Sequence, residues 1–461
     1  MRRERWVALV TLVLLQMFAV AAGVHLLTSG LLDEKEEPDP VASAGPPPVP
    51  VITAGPVLAA GGNGPLPAKG TLAERLTKAL GDPALGDRVG AVVLDAETGT
   101  TLFGSAAGVG ITPASTTKIV TSVAALASLG PDARLSTRVV RGASPGSIIL
   151  VGGGDPTLAG PRAQTGQAYP KPASLAALAS HTAKALKAAG VAKVTVAYDD
   201  TLFTGPRVSP AWKPVYIPDG EVAPVTALMI DEGRVFPGNR NRVSDPSRVA
   251  HGAFVSLLSK HGITVSGSAK RVKAPAGAEE IARVDSAPVY ALVERALTLS
   301  DNDLSEALAR QVALKEGEPA SFDGGAAAVH KVLARLGLTD GVTVHDGSGL
   351  SPKNRIAPQA LARLLAMAAS PANPRLRPVV SGMPVAGFTG TLGRRFGKSN
   401  SAYGLVRAKT GTLNGVSTLA GMTTTKSGRL VTFAFMADDV TSGGGEAEAA
   451  LDRLAALVAA G

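Results

Sequence analysis

Three short motifs in this sequence carry the residue types needed for acyl transfer through a serine. In chain order they are Ser115-x-x-Lys118, Ser300-Asp301-Asn302 and Lys409-Thr410-Gly411. A serine hydroxyl becomes an effective nucleophile only when a neighbouring base removes its proton. Each motif alone is weak evidence, because a serine at a helix start more often serves as a helix cap. All three in this order on one chain predict acyl-transfer chemistry rather than three unrelated polar turns.

Lys118 is the predicted general base for Ser115. It follows Ser115 by one helical turn, so the two side chains share a helix face. Burial and a nearby cation would lower its pKa enough for it to accept a proton, and the helix N-terminus would favour a developing alkoxide. Lys409 is expected to supply a second positive charge and to attract a substrate carboxylate, with Thr410 beside it as a substrate contact.

The remaining motif residues have predicted roles in proton relay and substrate binding. Ser300 can pass a proton to the leaving group, and Asn302 can hold a substrate amide. The backbone N–H groups of Ser115 and Thr412 are the expected donors to the oxyanion, and one such donor is worth about 3 kcal/mol. Gly411 is expected to let the substrate lie flat against its strand.

Three further residues are weaker candidates for the substrate cleft. Trp212 and Tyr216 stand out because aromatic residues make up only 4% of the chain. They are interpreted either as a packing anchor or as a wall that receives a substrate side chain. Ser348 lies in HDGSGLS, residues 345–351, which is expected to form a turn beside the active site from which Ser348 approaches the substrate.

No metal or other cofactor is predicted for this mechanism. The chain has six histidines and no cysteine, so thiolate metal sites and thiol catalysis are excluded. None of the histidines forms a metal-ligand spacing with another histidine or a carboxylate.

A helix, a loop between helices and a strand must hold these motifs. The periodic apolar residues over 119–126 predict a helix that begins near Ser115 and ends at Gly130. Helical patterns flank the second motif, and a strand pattern contains the third. Strand patterns at both ends of the region with helices between them predict an α/β domain interrupted by an insertion.

The chain divides into four parts by composition. Residues 1–30 contain three arginines followed by 22 residues without charge, which at ~1.5 Å per residue can cross a bilayer. We expect an uncleaved membrane anchor with a cytoplasmic N-terminus; a cleaved signal peptide is the alternative. Residues 31–70 are a Pro/Gly/Ala-rich linker. Residues 71–136 and 286–461 are the predicted catalytic domain, and residues 137–285 are the predicted inserted domain.

The charge pattern indicates an exported protein. The net charge is +9, and for a chain that leaves the cytoplasm this favours anionic wall polymers or lipid headgroups over nucleic acid as partners; a basic surface that serves only solubility is the alternative. No nucleic-acid partner is expected. The predicted location is extracytoplasmic, either anchored in the cell membrane or secreted after cleavage.

The motifs together resemble those of the D-alanyl-D-alanine carboxypeptidase/endopeptidase family, the class C low-molecular-mass penicillin-binding proteins. The blocks that carry the resemblance span about residues 71–461 and are PASTTKIVTSVAAL, LVGGGDPTL, SDNDLSEALAR, HDGSGLS and VRAKTGTL. The resemblance implies a penicillin-binding transpeptidase-like domain of the α/β (α+β) class, with an antiparallel sheet flanked by helices. It implies peptidoglycan stem peptides ending in, or cross-linked through, D-alanine as substrates, and β-lactams as covalent inhibitors that acylate Ser115.

Three functions remain open at this stage. The first is a serine D-Ala-D-Ala carboxypeptidase, with or without endopeptidase activity on cross-links. The second is a serine β-lactamase, which needs a water-activating carboxylate near the serine that the sequence does not identify. The third is a non-catalytic wall-binding or sensor protein, which the intact motifs disfavour. Family members often carry two inserted domains, whereas residues 137–285 hold material for one.

Overall fold

The computed structural model describes residues 13–22, 24–25, 69–162, 168–398 and 400–461 of the chain. The chain falls into two units, Met1–Val57 and Leu58–Gly461. In the first unit the described residues are helical and exposed. Among all residues described, no helix is both long enough and apolar enough to span a membrane. The predicted linker and most of the predicted anchor lie outside the described residues.

From residue 69 onward, the described chain forms ten helices and twelve strands. The helices are α1 (Lys69–Leu80), α2 (Thr117–Leu129), α3 (Leu175–Ala188), α4 (Pro246–Lys260), α5 (Val289–Thr298), α6 (Asn302–Glu316), α7 (Phe322–Arg335), α8 (Pro358–Ala369), α9 (Arg377–Ser381) and α10 (Gly444–Ala459). The strands are β1 (Arg88–Asp95), β2 (Thr101–Ser105), β3 (Ser136–Arg141), β4 (Ser147–Val151), β5 (Lys193–Asp199), β6 (Thr264–Ser266), β7 (Glu280–Asp285), β8 (Val342–Thr343), β9 (Arg355–Ile356), β10 (Arg407–Leu413), β11 (Val416–Thr424) and β12 (Leu430–Asp438).

The larger unit contains a five-stranded antiparallel sheet in the order β10-β11-β12-β1-β2. Its central strands are apolar on both faces. Alternate residues of β12 enter two different cores: Ala434 and Met436 pack with α2, α5 and α8, whereas Phe433 and Phe435 pack with α1 and α10. Because both faces are covered by helices, the strands read as continuous apolar runs. The predicted fold class, an antiparallel sheet flanked by helices, is confirmed.

A second sheet is built entirely from the segment Ser136–Asp285. Its order is β6-β5-β4-β3-β7, with parallel pairs β4-β5 and β5-β6 and antiparallel pairs around β3. Helices α3 and α4 pack against it in one apolar core. Helix α4 has standard start signals, because Asp245 caps its N-terminus and Pro246 occupies its first turn.

Local sequence explains where the two helices of the site begin and end. Helix α2 ends at Gly130, whose φ of +86° is accessible to glycine at little cost. Helix α6 begins within the second motif, because the Asp301 carboxylate accepts a hydrogen bond from the Leu304 N–H at 3.0 Å. The middle residue of Ser300-Asp301-Asn302 is therefore the cap of the helix that carries Asn302.

Candidate active site

Ser115 lies in a short 3-10 turn, Ala114–Thr116, immediately before α2. Neither the turn nor α2 has a side-chain N-cap hydrogen bond, so Ser115 does not act as a helix cap. Ala114 has a φ of +46°, a strained region for a residue with a side chain. The turn is held by the hydroxyl of Thr418, which donates to the Pro113 carbonyl at 2.9 Å.

The structure brings Lys118 to Ser115, as the spacing predicted. Lys118 Nζ is 3.0 Å from Ser115 Oγ, and the side chain is only 1% exposed. Two further oxygens surround the amine: Asn302 Oδ1 at 2.6 Å and the Ser348 carbonyl at 2.6 Å. The first two motifs therefore meet at one nitrogen atom.

Burial lowers the pKa of Lys118 to about 8. Four carboxyl groups oppose this shift by favouring the charged amine: Asp346, Asp301, Glu306 and Asp303. A base with a pKa near the working pH is neutral in part of the molecules and still basic enough to accept a proton. Lys118 meets both conditions.

The oxygens around Lys118 determine where a neutral amine would direct its lone pair. Asn302 Nδ2 donates to the Glu221 carbonyl at 2.8 Å, so the Asn302 amide oxygen is the end that faces Lys118. That oxygen and the Ser348 carbonyl can only accept hydrogen bonds, and a neutral amine has two N–H groups. Both N–H groups are therefore used by these two oxygens. The lone pair is left to face the Ser115 hydroxyl, as a general base requires.

Lys409 and Ser300 form the second hydrogen-bonded pair of the site. Lys409 Nζ donates to Ser300 Oγ at 2.9 Å and to the Thr410 carbonyl at 2.7 Å. Burial holds the pKa of Lys409 well below its usual range, and the charges of Lys118 and Arg395 lower it further. The second positive charge expected of Lys409 stays a prediction.

Gly411 packs closely against the turn that carries Ser115. A Cβ at this position would lie 2.6 Å from the Pro113 carbonyl oxygen and 3.1 Å from the Ser115 nitrogen. Real Cβ atoms essentially never approach backbone atoms closer than 3.0 Å, so β10 can reach the turn only with glycine here. Glycine therefore allows the strand to approach Ser115, and the role expected of Gly411 as a flat surface for substrate stays a prediction.

Ser348 contributes its backbone rather than its side chain. Its side chain is fully buried, whereas its carbonyl accepts from Lys118. The predicted approach of the Ser348 side chain to substrate is therefore wrong. A neighbouring residue explains the tight packing here, since a Cβ on Gly349 would lie 1.9 Å from the Ala114 carbonyl oxygen.

Trp212 is a packing residue. Its indole is 6% exposed, its Nε1–H donates to Asp346 Oδ2 at 2.8 Å, and its ring packs edge-on against Phe322 with centroids 5.1 Å apart. Of the two interpretations, the packing anchor agrees with the structure. The prediction of Trp212 as a wall of the cleft is corrected, because the buried Asp346 carboxylate holds the indole inside the core.

Tyr216, by contrast, lines the cleft that contains the motif residues. Burial raises the pKa of its hydroxyl. Among the described residues this hydroxyl is buried and has no hydrogen-bond partner. The cleft is also lined by Ser115, Ser300, Asn302, Thr410, Thr412, Leu350, Leu413 and the charged groups Lys213, Asp219, Glu221, Arg395 and Glu448.

One cluster of carboxylates has the spacing of a cation site. Oxygens of Glu232, Asp301 and Asp303 lie within 4.8 Å of one another and are buried. Arginines already supply their countercharge: Arg295 pairs with Glu232 and Asp301, and Arg242 pairs with Asp303 at 3.0 Å. The guanidinium groups occupy the positions that a metal ion would need, so this donor set does not fit a metal.

Sequence reasoning missed two buried acids that support the site, Glu306 and Asp346. Glu306 follows Asn302 by four positions on α6, so the two side chains share a helix face. A carboxylate on that face within an otherwise apolar pattern was the available signal. Asp346 lies in HDGSGLS and accepts from the Gly349 and Ser351 N–H groups and from Asn354, whereas its contact with Trp212, 134 positions away, had no local signature.

The chain is similar in sequence to known carboxypeptidases. The model of the D-Ala-D-Ala carboxypeptidase 3 (S13) family matches residues 72–241 and 237–458. Carboxypeptidase DacB of Mycolicibacterium smegmatis is 36% identical over 99% of this chain and 97% of its own. A D-alanyl-D-alanine carboxypeptidase of an Actinomadura species is 28% identical over 78% of this chain and 79% of its own.

A solved structure shares the fold. Penicillin-binding protein 4 of Haemophilus influenzae superposes with a TM-score of 0.68 at 22% identity, over 82% of this chain and 97% of its own. The same protein complexed with a β-lactam superposes with a TM-score of 0.64 at 23% identity, over 83% and 97% of the two chains.

Proposed function

This chain belongs to the D-Ala-D-Ala carboxypeptidase 3 (S13) family, and from that premise we propose that Ser115 is the nucleophile of a serine D-Ala-D-Ala carboxypeptidase. The observation that carries the proposal is the position of Lys118 Nζ, 3.0 Å from Ser115 Oγ and 2.6 Å from two carbonyl-type oxygens. With the two N–H groups of a neutral amine directed to these two oxygens, the lone pair remains as the acceptor for the serine proton.

In the acylation step, Ser115 Oγ attacks the carbonyl carbon of the penultimate D-alanine while neutral Lys118 accepts the hydroxyl proton. The carbonyl π electrons move to its oxygen, which becomes the oxyanion. The N–H groups of Ser115 and Thr412 are proposed to donate to it. This assignment is supported by the close packing of Gly411 on the Ser115 turn, which places β10 beside the nucleophile.

Collapse of the tetrahedral intermediate breaks the C–N bond and expels the terminal D-alanine as an amine. The departing nitrogen needs one proton, and Ser300 is proposed to deliver it. The Ser300 hydroxyl is hydrogen-bonded to Lys409 Nζ at 2.9 Å, so Lys409 orients it. The proton that Lys118 took from Ser115 is proposed to replace the one that Ser300 gives up, which leaves Lys118 neutral again for the next step. The products of this step are free D-alanine and an ester on Ser115.

Deacylation reverses the roles with water as nucleophile. Lys118 is proposed to take a proton from water, whose oxygen attacks the ester carbonyl, and Ser115 recovers its proton as the leaving group. A carboxylate dedicated to water activation would distinguish a β-lactamase. The described acids nearest to Lys118 are committed to backbone N–H groups or to arginines, which favours the peptidase over a β-lactamase.

Substrate carboxylate binding is proposed for Lys409, Thr410 and Thr412. A negatively charged substrate group near Lys409 would raise the pKa of this buried amine and draw a proton to it. Tyr216 is proposed to contact the stem peptide, since it lines the cleft that contains Ser115. Covalent inhibition by β-lactams is proposed through the same serine, and a β-lactam complex of a relative with the same fold supports it.

Peptidoglycan lies outside the cytoplasmic membrane, so the enzyme acts extracytoplasmically. We propose that residues 1–30 anchor it there and that residues 31–70 tether the catalytic domain, formed by residues 71–136 and 286–461, with the segment 137–285 as an inserted domain. The composition of these segments supports the proposal.

The function is tested with purified full-length protein and a synthetic stem peptide ending in D-Ala-D-Ala. Wild type is expected to release free D-alanine in proportion to enzyme and time, and Ser115→Ala is expected to release none. A cross-linked dimer assayed in parallel measures endopeptidase activity. Rapid hydrolysis of penicillin without release of D-alanine would instead indicate a β-lactamase, and inertness towards all three substrates would indicate a non-catalytic protein.

A further inference from the structure

The Ser348 carbonyl must point at Lys118 for the amine to be oriented, and the loop that carries it has no regular secondary structure to hold it. The loop is held from α6. Glu306 Oε1 accepts from the Gly347 N–H at 3.0 Å and from the Ser348 N–H at 2.8 Å. Within one residue, therefore, the N–H of Ser348 is bound to Glu306 and its carbonyl is bound to Lys118.

Glu306 is itself fixed in position. Its Oε2 accepts from Arg310 Nη1 at 3.2 Å, and each of these two side chains is 1% exposed. The guanidinium of Arg310 lies over the Phe322 ring, with its carbon 4.1 Å from the centroid. Arg310 thus supplies the countercharge for a carboxylate that would otherwise be unpaired in the core.

We propose that Glu306 is a positioning residue for the general base: it orients the Ser348 carbonyl towards Lys118 and keeps a negative charge behind the amine. The proposal rests on the proposed role of Lys118 and adds a residue that does not contact substrate. Glu306 contributes in two ways: the length of its side chain lets it bind the loop that carries Ser348, and its charge favours the protonated form of Lys118. Each can be removed separately by a conservative substitution.

Several charged groups surround this part of the site and must be considered in any pH dependence. Glu306 faces Arg310 and Asp346. Lys118 faces Asp346, Asp301, Glu306 and Asp303, and Lys409 lies near enough for its pKa to respond to Lys118. Burial raises the pKa of Glu306 to about 7. Because the negative charges favour protonated Lys118, removal of any one of them lowers the pKa of Lys118.

The test compares Glu306→Asp with Glu306→Gln in the full-length protein. The readout is the second-order rate constant for acylation by a labelled penicillin between pH 5.5 and 9.5. Glu306→Asp keeps the charge but loses reach, so the rate constant is expected to fall about 10- to 100-fold with its pH midpoint near that of wild type. Glu306→Gln keeps the reach but loses the charge, so the midpoint is expected to move to lower pH by roughly one unit.

The matched control is Glu316→Gln on the same helix. Glu316 pairs with Arg335 and is the last residue of the helix. Its removal leaves the 346–351 loop untouched, so the rate constant and the pH midpoint are expected to equal those of wild type. If Glu306→Gln does not fold, Glu306→Gln/Arg310→Met removes the unpaired guanidinium as well and is expected to show the same shift. Thermal unfolding and the fraction of protein that forms adduct are measured for every variant.

If Glu306 had a purely structural role, its substitution would lower the fraction of active protein. The acylation rate constant of the active molecules and its pH midpoint would stay unchanged. That result in both single variants would overturn the proposal. Failure of the proposed function would give a different result: wild type would form no adduct, or the adduct would persist in Ser115→Ala.

Discussion

The side-chain oxygen of Asn302 lies 2.6 Å from Lys118 Nζ, although the two residues are 184 positions apart in the chain. Asn302 also donates to the Glu221 carbonyl at 2.8 Å, so its amide cannot rotate without breaking both contacts. Helix α2, which carries Lys118, and helix α6, which carries Asn302, are therefore joined at the general base. A substrate amide that binds Asn302 would share the Asn302 side chain with Lys118.

Acylation is expected to accelerate with rising pH through the pKa of Lys118. The neutral amine is the active form, and burial lowers its pKa to about 8. Below that value the rate constant for penicillin acylation should fall about tenfold per pH unit, and above it the rate constant should level off. A rate constant that decreases as the pH rises from 6 to 8 would exclude Lys118 as the base.

Asn302→Asp is expected to shift this profile to higher pH. The new carboxylate would face Lys118 Nζ at the present amide position and favour the charged amine, raising the pKa of Lys118 by about 1–3 units. Acylation at pH 7 should therefore fall at least about tenfold and recover at high pH. Asn373→Asp, in the loop after α8, is the control, since its amide bonds only to the Met367 carbonyl. An unchanged midpoint in Asn302→Asp would contradict the assigned contact.

Gly411→Ala is expected to damage both stability and acylation. Its Cβ would lie 2.6 Å from the Pro113 carbonyl oxygen, so β10 must move away from the Ser115 turn. We expect a loss of about 1–3 kcal/mol in the free energy of unfolding and a strong reduction of the acylation rate constant. Gly252→Ala is the control: nothing lies within 4 Å of its added Cβ, and alanine within α4 should be neutral or slightly stabilising. Wild-type kinetics for Gly411→Ala would refute the packing role.

Tyr216→Leu is expected to weaken peptide hydrolysis more than penicillin acylation, because Tyr216 lines the cleft that contains Ser115. Its hydroxyl has no partner among the described residues, so removal breaks no internal hydrogen bond. Trp212→Phe provides the contrast. It leaves the buried Asp346 oxygen without its 2.8 Å donor, so it should lower the free energy of unfolding by about 1–3 kcal/mol and affect both reactions alike. A selective effect on peptide hydrolysis from Trp212→Phe would reverse this assignment.

The features predicted correctly from sequence were those with local signatures. The antiparallel sheet follows from apolar strand patterns near both ends of the folded region, and α2 follows from its periodicity between Pro113 and Gly130. The pairing of Lys118 with Ser115 follows from a spacing of three residues at a helix start. In each case the residues that determine the structure lie close together in the chain.

The features that were missed depend on tertiary contacts. Ser348 acts through a backbone carbonyl, and any residue type supplies a carbonyl, so its identity gave no indication of that role. Trp212 was ambiguous because only its distant partner Asp346, 134 positions away, determines which side of the cleft wall it occupies. The packing role of Gly411 was not predicted, because the turn that excludes a side chain there comes from another part of the chain.

The most direct test of the account is the site of covalent attachment by penicillin. The full-length protein is incubated with a labelled penicillin, and the adduct is located by mass spectrometry of its peptides. We predict one long-lived adduct on Ser115 that is absent from Ser115→Ala. An adduct on another residue, or one that survives in Ser115→Ala, would contradict the central claim that Ser115 is the nucleophile activated by Lys118.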